Sequence, residues 1–317
     1  MQPCCPPRRR NRLLLQPDEF TDFFANELDQ LHGEILSCKR SYSPSLLGGI
    51  ESLYDVCIEN EPTLGSDVHV MLEKLGKMSM GWLINVLQHV ETNSENEDDL
   101  KRITAVVANL SGRGARGAVT RDWTFGSNQI LTIRDEAFAA ASIGFMTWSA
   151  SIVLADLLAN QTINVNDKSV LELGCGTALS GLSAARFQYP RRVVLTDYHD
   201  AVLENARVNI RLNSCSDVAS VKKLDWRDPP LDMPVFDTII AADCIFEVEH
   251  ACLVPVIAKR YLKPDGVFEV LLPLREKYKQ EVSAFESNMR FNGWKLCNTK
   301  TFERDHIILK WYTYELL

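Results

Sequence analysis

Val170-Leu171-Glu172-Leu173-Gly174-Cys175-Gly176-Thr177-Ala178-Leu179-Ser180-Gly181 is the stretch that decides how this chain folds. The apolar run reads as a buried strand, a carboxylate stands near its end, and a glycine-rich turn follows. Leu179 to Phe187 then read as a helix. Strand, turn and helix together build a cradle for a nucleotide-like ligand. Glycines let the backbone approach the ligand closely, and the helix N-terminus offers free N–H donors. Glu172 discriminates between ligands, because a dinucleotide would bring a pyrophosphate that an acid repels. S-adenosylmethionine has no phosphate and carries a sulfonium and an ammonium, which an acid suits.

A lone glycine turn is weak evidence, so the following segments must agree. Val193 to Leu195 read as a second strand with Asp197 at its carboxyl end, where an acid can grip ribose hydroxyls. Ala219 to Leu224 form a third apolar segment, closed by Asp225-Trp226. That acid can accept an exocyclic amine, and the indole can cover an adenine face. Thr238-Ile239-Ile240-Ala241-Ala242-Asp243-Cys244-Ile245-Phe246 carries a fourth strand that ends in an acid, with an aromatic three residues later. Asp243 follows five small or apolar strand residues, at the end of a central strand where open α/β sheets bind ligands.

Around this frame, Trp123 to Phe125 and Gln129 to Ile133 suggest a hairpin with Gly126-Ser127-Asn128 as its turn. Thr147 to Leu158 read as a helix leading into the first strand. Pro264-Asp265-Gly266 makes a turn into a fifth strand, Val267 to Leu272. A helix over Tyr278 to Asn292 is broken by Asn292-Gly293. Two strands close the chain, near Trp294 to Phe302 and His306 to Tyr314. One of these must run antiparallel to the rest, since only antiparallel neighbours accept so short a connection.

The set Gly144, Trp148, Glu172-Leu-Gly174-Cys-Gly176-Thr, Asp197, Asp225-Trp226 and Ala242-Asp243-Cys-Ile-Phe246 resembles the seven-β-strand protein-lysine methyltransferases, specifically methyltransferase family 16. The resemblance covers roughly residues 118–317. It implies an α/β fold: a doubly wound, seven-stranded, mostly parallel Rossmann-like sheet. It implies S-adenosyl-L-methionine as methyl donor, contacted at Trp148, Glu172, Gly174, Cys175, Gly176, Asp197, Asp225, Trp226 and Ala242. It places Asp243 where it orients the acceptor amine or the donor's ammonium, and Phe246 as a wall of the acceptor channel. The implied acceptor is a lysine of a protein, with a translation elongation factor as a candidate. Arginine, histidine or a small molecule remain alternative acceptors, and a donor-binding module without catalysis is the third reading. Two positions depart from the family pattern. Ala178 stands where many members have a third glycine, which a negative φ would tolerate, and Phe246 stands where many have tyrosine. Cys175 and Cys244 read as small packing residues, because methyl transfer needs no covalent enzyme intermediate.

The remaining chain reads as 1–16, a basic tail; 17–117, a helical N-terminal region with an acidic linker; and 118–317, the methyltransferase domain. Phe20, Phe23, Phe24, Leu28, Leu31 and Ile35 recur at helical spacing after Pro17-Asp18. Leu46 to Ile58 and Val68 to Val90 give two more helices, separated by Glu61-Pro62 and Gly65, and Leu100 to Leu110 a fourth. Residues 91–99 form the acidic run, and 111–117 a short arginine-glycine connection. A net charge of −8 disfavours nucleic acid as a partner. No apolar run is long enough to span a membrane. The apolar run behind the arginines of the tail is too short for a secretory signal, so none is expected. Nine cysteines in an odd, unpaired arrangement point to reduced thiols and the cytoplasm, with the arginines at 8, 9, 10 and 12 as a candidate nuclear address. The six histidines form no metal spacing, and His250 reads as an exposed residue at a helix start, with a place at the pocket rim as the alternative.

Overall fold

The computed structural model describes residues 17–38, 42–64, 66–89, 97–110, 118–126, 128–136, 146–275 and 278–317. The basic tail, Gly65, most of the acidic run, residues 111–117, Ser127 and Gly144 lie outside the described residues. The chain divides into two compact units, Met1–Gly112 and Arg113–Leu317.

The first unit is helical: α1 (Pro17–Cys38), α2 (Pro44–Leu64), α3 (Ser66–His89) and α4 (Glu97–Leu110). The aromatic stripe of α1 is core, with Phe20 and Phe24 buried and stacked at 6.4 Å. Leu46, Leu47 and Ile50 of α2 and Leu75 and Leu83 of α3 are fully buried. Arg102 of α4 grips Glu51 of α2 with both ends of its guanidinium, at 3.1 and 2.6 Å. Glu61-Pro62 does not end α2, which runs on to Leu64. A proline ring removes one N–H from a helix, and here the loss falls in the last turn.

The second unit opens with an antiparallel hairpin, β1 (Val119–Phe125) and β2 (Gln129–Asp135). There follow α5 (Ser149–Ala159), β3 (Ser169–Leu173), α6 (Leu179–Phe187), β4 (Arg192–Asp197), α7 (Asp200–Leu212), β5 (Ala219–Lys223) and β6 (Phe236–Ala242). The chain ends with α8 (Val248–Tyr261), β7 (Leu262–Pro273), α9 (Lys279–Phe291), β8 (Trp294–Arg304) and β9 (Ile307–Leu316). The seven-stranded sheet has the order β5-β4-β3-β6-β7-β9-β8. β5, β4, β3, β6 and β7 are parallel, and β9 runs antiparallel between β7 and β8. The terminal hairpin turns through Asp305-His306, both at positive φ, as a type I′ turn requires.

Side chains of alternate residues enter two separate cores, as the two-residue period of a strand dictates. Val170 and Ile240 pack with α5, α6 and α7, whereas Leu171, Leu173, Ile239 and Ala241 pack with α8 and α9. Several boundaries differ from the sequence reading, among them β1, which starts at Val119 and not at Trp123. Pro264-Asp265-Gly266 lies inside β7 as a bulge: the register jumps from Phe236↔Leu262 to Thr238↔Val267, and Lys263 binds the Asp237 carboxylate at 2.6 Å. α5 starts two residues later than expected, with Trp148 as its N-cap.

The hairpin is held by asparagines. Asn205, Asn209 and Asn213 recur at i, i+4 and i+8 on one buried face of α7. Asn213 exchanges hydrogen bonds with the backbone of Thr132, at 2.9 and 2.8 Å, and Asn209 with that of Arg134, at 2.8 and 3.0 Å. The amides act as a substitute strand along β2. Asn209 also donates to the Thr177 carbonyl in the glycine turn at 3.0 Å. Asn209→Ala strips the Arg134 N–H and the Thr177 carbonyl of this partner, while the Arg134 carbonyl keeps Asn205 at 2.9 Å. Each unsatisfied buried group costs about 1–3 kcal/mol, so urea unfolding should lose about 2–4 kcal/mol. A loss below about 0.5 kcal/mol would mean that β2 does not depend on this ladder.

Candidate active site

β3 is buried along its whole length, and its chain leaves the sheet through a turn with three left-handed residues. Gly174 has φ +65°, Gly176 +51° and Ala178 +66°. A Cβ on Gly174 would lie 3.2 Å from that of Cys244 and against the Trp226 ring, so only glycine fits the floor of the turn. The Cys175 N–H donates to Thr196 O at 2.8 Å and the Ala178 N–H to Cys175 O at 2.7 Å. Ala178 therefore does not have the negative φ at which alanine would be tolerated without strain. It holds a glycine conformation with a buried methyl group, at a cost of about 1 kcal/mol or more. Its carbonyl accepts the first bond of α6, from Leu182 at 2.9 Å, which helps fix it there.

Glu172 lies on the α6 side of the sheet, away from the cavity described next. Its Oε2 accepts the Gly181 N–H at 3.1 Å, and a Cβ on Gly181 would sit 2.5 Å from that oxygen. Burial pushes its carboxyl up to about 8. It clasps α6 to β3, and the discrimination against phosphate expected of Glu172 falls to other carboxylates. The folded carboxyl holds a proton that the unfolded chain releases above about 4.3. Stability linked to Glu172 is therefore present at low pH and lost as pH rises toward 8. Glu172→Gln should flatten the fall in stability between about pH 5 and 8, as read from urea midpoints. An unchanged slope would mean that Glu172 is ionised in the folded chain.

A cavity of about 270 Å³ opens at the carboxyl ends of the strands, where the order reverses between β3 and β6. Of the residues expected at the site, Trp148, Gly174, Gly176, Asp197, Asp225, Trp226, Ala242, Asp243 and Phe246 line it, and Glu172 and Cys175 do not. Asp197 accepts the Gly176 N–H at 3.3 Å and the His199 N–H at 3.1 Å, and burial raises its pKa. Asp225 accepts the Arg227 N–H at 2.9 Å. Three carboxylates thus face the cavity. The guanidinium that also lines it, Arg227, is tied to Glu249 at 2.8 Å. Burial pushes the Cys244 thiol up to about 12 and the Cys175 thiol well above its usual range, so neither offers a thiolate.

β6 ends at Ala242, and Asp243 turns the chain with φ +50°, its N–H donating to Leu271 O at 3.0 Å. Its carboxylate accepts from Arg275 at 3.0 Å, and the Arg275 guanidinium lies 5.6 Å from the centroid of the Trp148 ring. Phe246 meets the His250 ring edge-on at 4.4 Å, and His250 meets Trp226 the same way at 5.4 Å. His250 is thus not an exposed helix-start residue but half-buried between two cavity rings, and burial lowers its pKa. The sequence reading missed Arg275 and set His250 aside. Both had a signal: Arg275 stands two residues past the end of a parallel strand, and His250 stands one helical turn after Phe246.

The cavity fits S-adenosylmethionine. A glycine floor, a ribose-side acid and an indole suit its nucleoside, and the carboxylates suit its cationic sulfur and ammonium while opposing a pyrophosphate. A Rossmann-like sheet with this strand order and this site defines a class I methyltransferase, with S-adenosylmethionine as methyl donor. The family described as lysine methyltransferase matches residues 126–291, and the chain belongs to it. Protein-lysine N-methyltransferase rrg1 of Schizosaccharomyces pombe is 31% identical over 69% of this chain and 77% of its own length. EFM2 of Saccharomyces cerevisiae is 28% identical over 57% of this chain, and human EEF2KMT 26% over 61%. The chain spans only 49% and 59% of those two relatives. Asp197→Ala should weaken binding of S-adenosylhomocysteine ten- to a hundredfold by calorimetry, since a charge-assisted hydrogen bond contributes about 1.5–3 kcal/mol. An unchanged affinity would place the ribose elsewhere.

Proposed function

We propose that this chain transfers methyl groups from S-adenosylmethionine to lysine side chains of a protein. The observation that carries this reading is that Asp243 and Phe246, which follow β6 within the stretch matched by the lysine methyltransferase family, both line the cavity. In this reading Trp148, Gly174, Gly176, Asp197, Asp225, Trp226 and Ala242 hold the donor. Bound there, S-adenosylmethionine supplies a methyl group already activated by the positive sulfur. The chain's own task is to align a neutral amine in line with it. A lysine ammonium must first shed a proton, and desolvation against Phe246, Trp226 and His250 favours the neutral form. The π-face of Phe246 also suits the cationic methylated product. Asp243 orients the acceptor amine.

The names of the EFM2 and EEF2KMT relatives suggest a translation elongation factor as the acceptor protein. The N-terminal helical unit would select that target, and the domain beginning near residue 118 would hold the donor. Among the described residues no helix is long and apolar enough to cross a membrane, and we place the activity in the cytoplasm, with the nucleus as alternative.

Radiolabelled donor incubated with the chain and a cell lysate should label a protein band that contains methyl-lysine by mass spectrometry. Labelled arginine or histidine alone would overturn the lysine reading. On the labelled protein, Asp243→Ala should reduce turnover far more than donor affinity, and Phe246→Tyr should stay within a fewfold of wild type. Full activity of Asp243→Ala would remove the acceptor from this wall.

A further inference from the structure

The proposed reaction carries a charge conflict at Asp243. A carboxylate beside a lysine raises the lysine's pKa and so favours the ammonium, which cannot attack. Arg275 meets this conflict. Its guanidinium donates to Asp243 Oδ2 at 3.0 Å, where the Asp243 side chain is 8% exposed and that of Arg275 26%. We propose that Arg275 is a positioning residue for methyl transfer: it compensates the Asp243 charge, so that the acceptor amine meets a neutral ion pair. The inference rests on the lysine reading above.

The arrangement is anchored on both sides. The Asp243 N–H is held by Leu271 of β7, the strand whose end presents Arg275. The same guanidinium lies over Trp148, a cavity wall at the start of α5. Among the described residues, Arg275 is the charge that acts on Asp243, and it opposes the upward pull of burial on that carboxyl. Cys244 beside it stays protonated. On α8, His250 is held toward neutrality by burial against the opposing charges of Glu247 and Glu249, and Arg227 is engaged by Glu249. Asp197 ends β4 and Asp225 follows β5, and both belong to the proposed donor side.

The proton balance sets the expected sign. Amine and carboxylate together hold one proton before attack. On nitrogen it makes an ammonium, and on oxygen it is donated to the amine lone pair, so attack is blocked either way until it leaves to solvent. A guanidinium beside the pair disfavours that proton and lowers the pH at which it leaves. Without Arg275 the pair keeps its proton to higher pH.

Two measurements test this on the full chain. In 13C-aspartate-labelled protein without donor, with Asp243→Asn to assign the signal, the Asp243 titration midpoint should rise by about one pH unit or more in Arg275→Gln. It should move little in Arg275→Lys, which keeps the charge. On the protein labelled in the lysate assay, the acid limb of the rate profile should move upward in Arg275→Gln, with the rate recovering at high pH. An unmoved Asp243 midpoint overturns the inference whatever the enzyme's activity. So does a rate lowered equally at every pH, which would mark a structural role. A wild-type chain that labels no lysine would fail the proposed function and take this inference with it.

Discussion

The chain leaving β3 has to turn at once into α6 without filling the space that the turn encloses. β3 lies between β4 and β6 and is covered on both faces, so the turn can go only over the carboxyl edge of the sheet. Left-handed residues at Gly174, Gly176 and Ala178 bend it there. The bend brings Gly174 against Cys244 and Trp226, from the loops after β6 and β5. Those loops and the turn thereby share one space, which is the cavity. Glu172 secures the arrangement from behind by accepting the Gly181 N–H, and Asp197 from the front by accepting that of Gly176. The two acids follow the same backbone rule with opposite outcomes: the one on the helix side is buried in the clasp, and the one at the strand end lines the cavity.

In the proposed reaction, charge in the cavity is negative on the donor side and compensated on the acceptor side. Asp197 and Asp225 accept from backbone N–H groups, which carry no net charge of their own. Asp243 has a guanidinium. Of the aromatic rings, Trp226 lies toward the glycine turn, and His250 stands between it and Phe246. A ring at 250 that touches both lets a shift on one side press on the other, because packed rings transmit displacement.

The strands and the carboxyl-end acids were legible because they are local. Apolar runs broken by acids and glycines specify where a parallel strand stops, and parallel strands all stop on one edge. The terminal hairpin was legible from its short connection, which permits only an antiparallel pair. What escaped reading depends on partners far along the chain. Ala178 takes a glycine's conformation because Cys175 and Leu182 bind its backbone, which no single residue announces. Arg275 gains meaning only when β7 lies beside β6 and brings it to Asp243. The direction of Glu172 was readable in principle: it alternates with Leu171 and Leu173, so its side chain shares the face of Val170 and must meet a helix. Treating it as a ligand contact overlooked that parity.

Among the described residues the hairpin ahead of the sheet pairs with no strand of the sheet, yet it supports the site. Arg121 and Asp135 form a buried pair at 2.6 Å across β1 and β2. Asp135 then accepts both the N–H and the hydroxyl of Thr147, at 3.1 and 2.8 Å, and Thr147 meets the Thr177 hydroxyl at 3.0 Å. Trp148 is the next residue, and Thr177 is part of the glycine turn. Asn209 reaches the same Thr177 from α7 while holding β2. One polar network therefore sets the wall that carries Trp148 and the floor that carries Gly176. Because its members are buried and mutually bonded, removing one leaves others unsatisfied. The donor site is thus braced by residues that never touch the cavity, and its geometry depends on a hairpin whose sequence alone reads as an accessory.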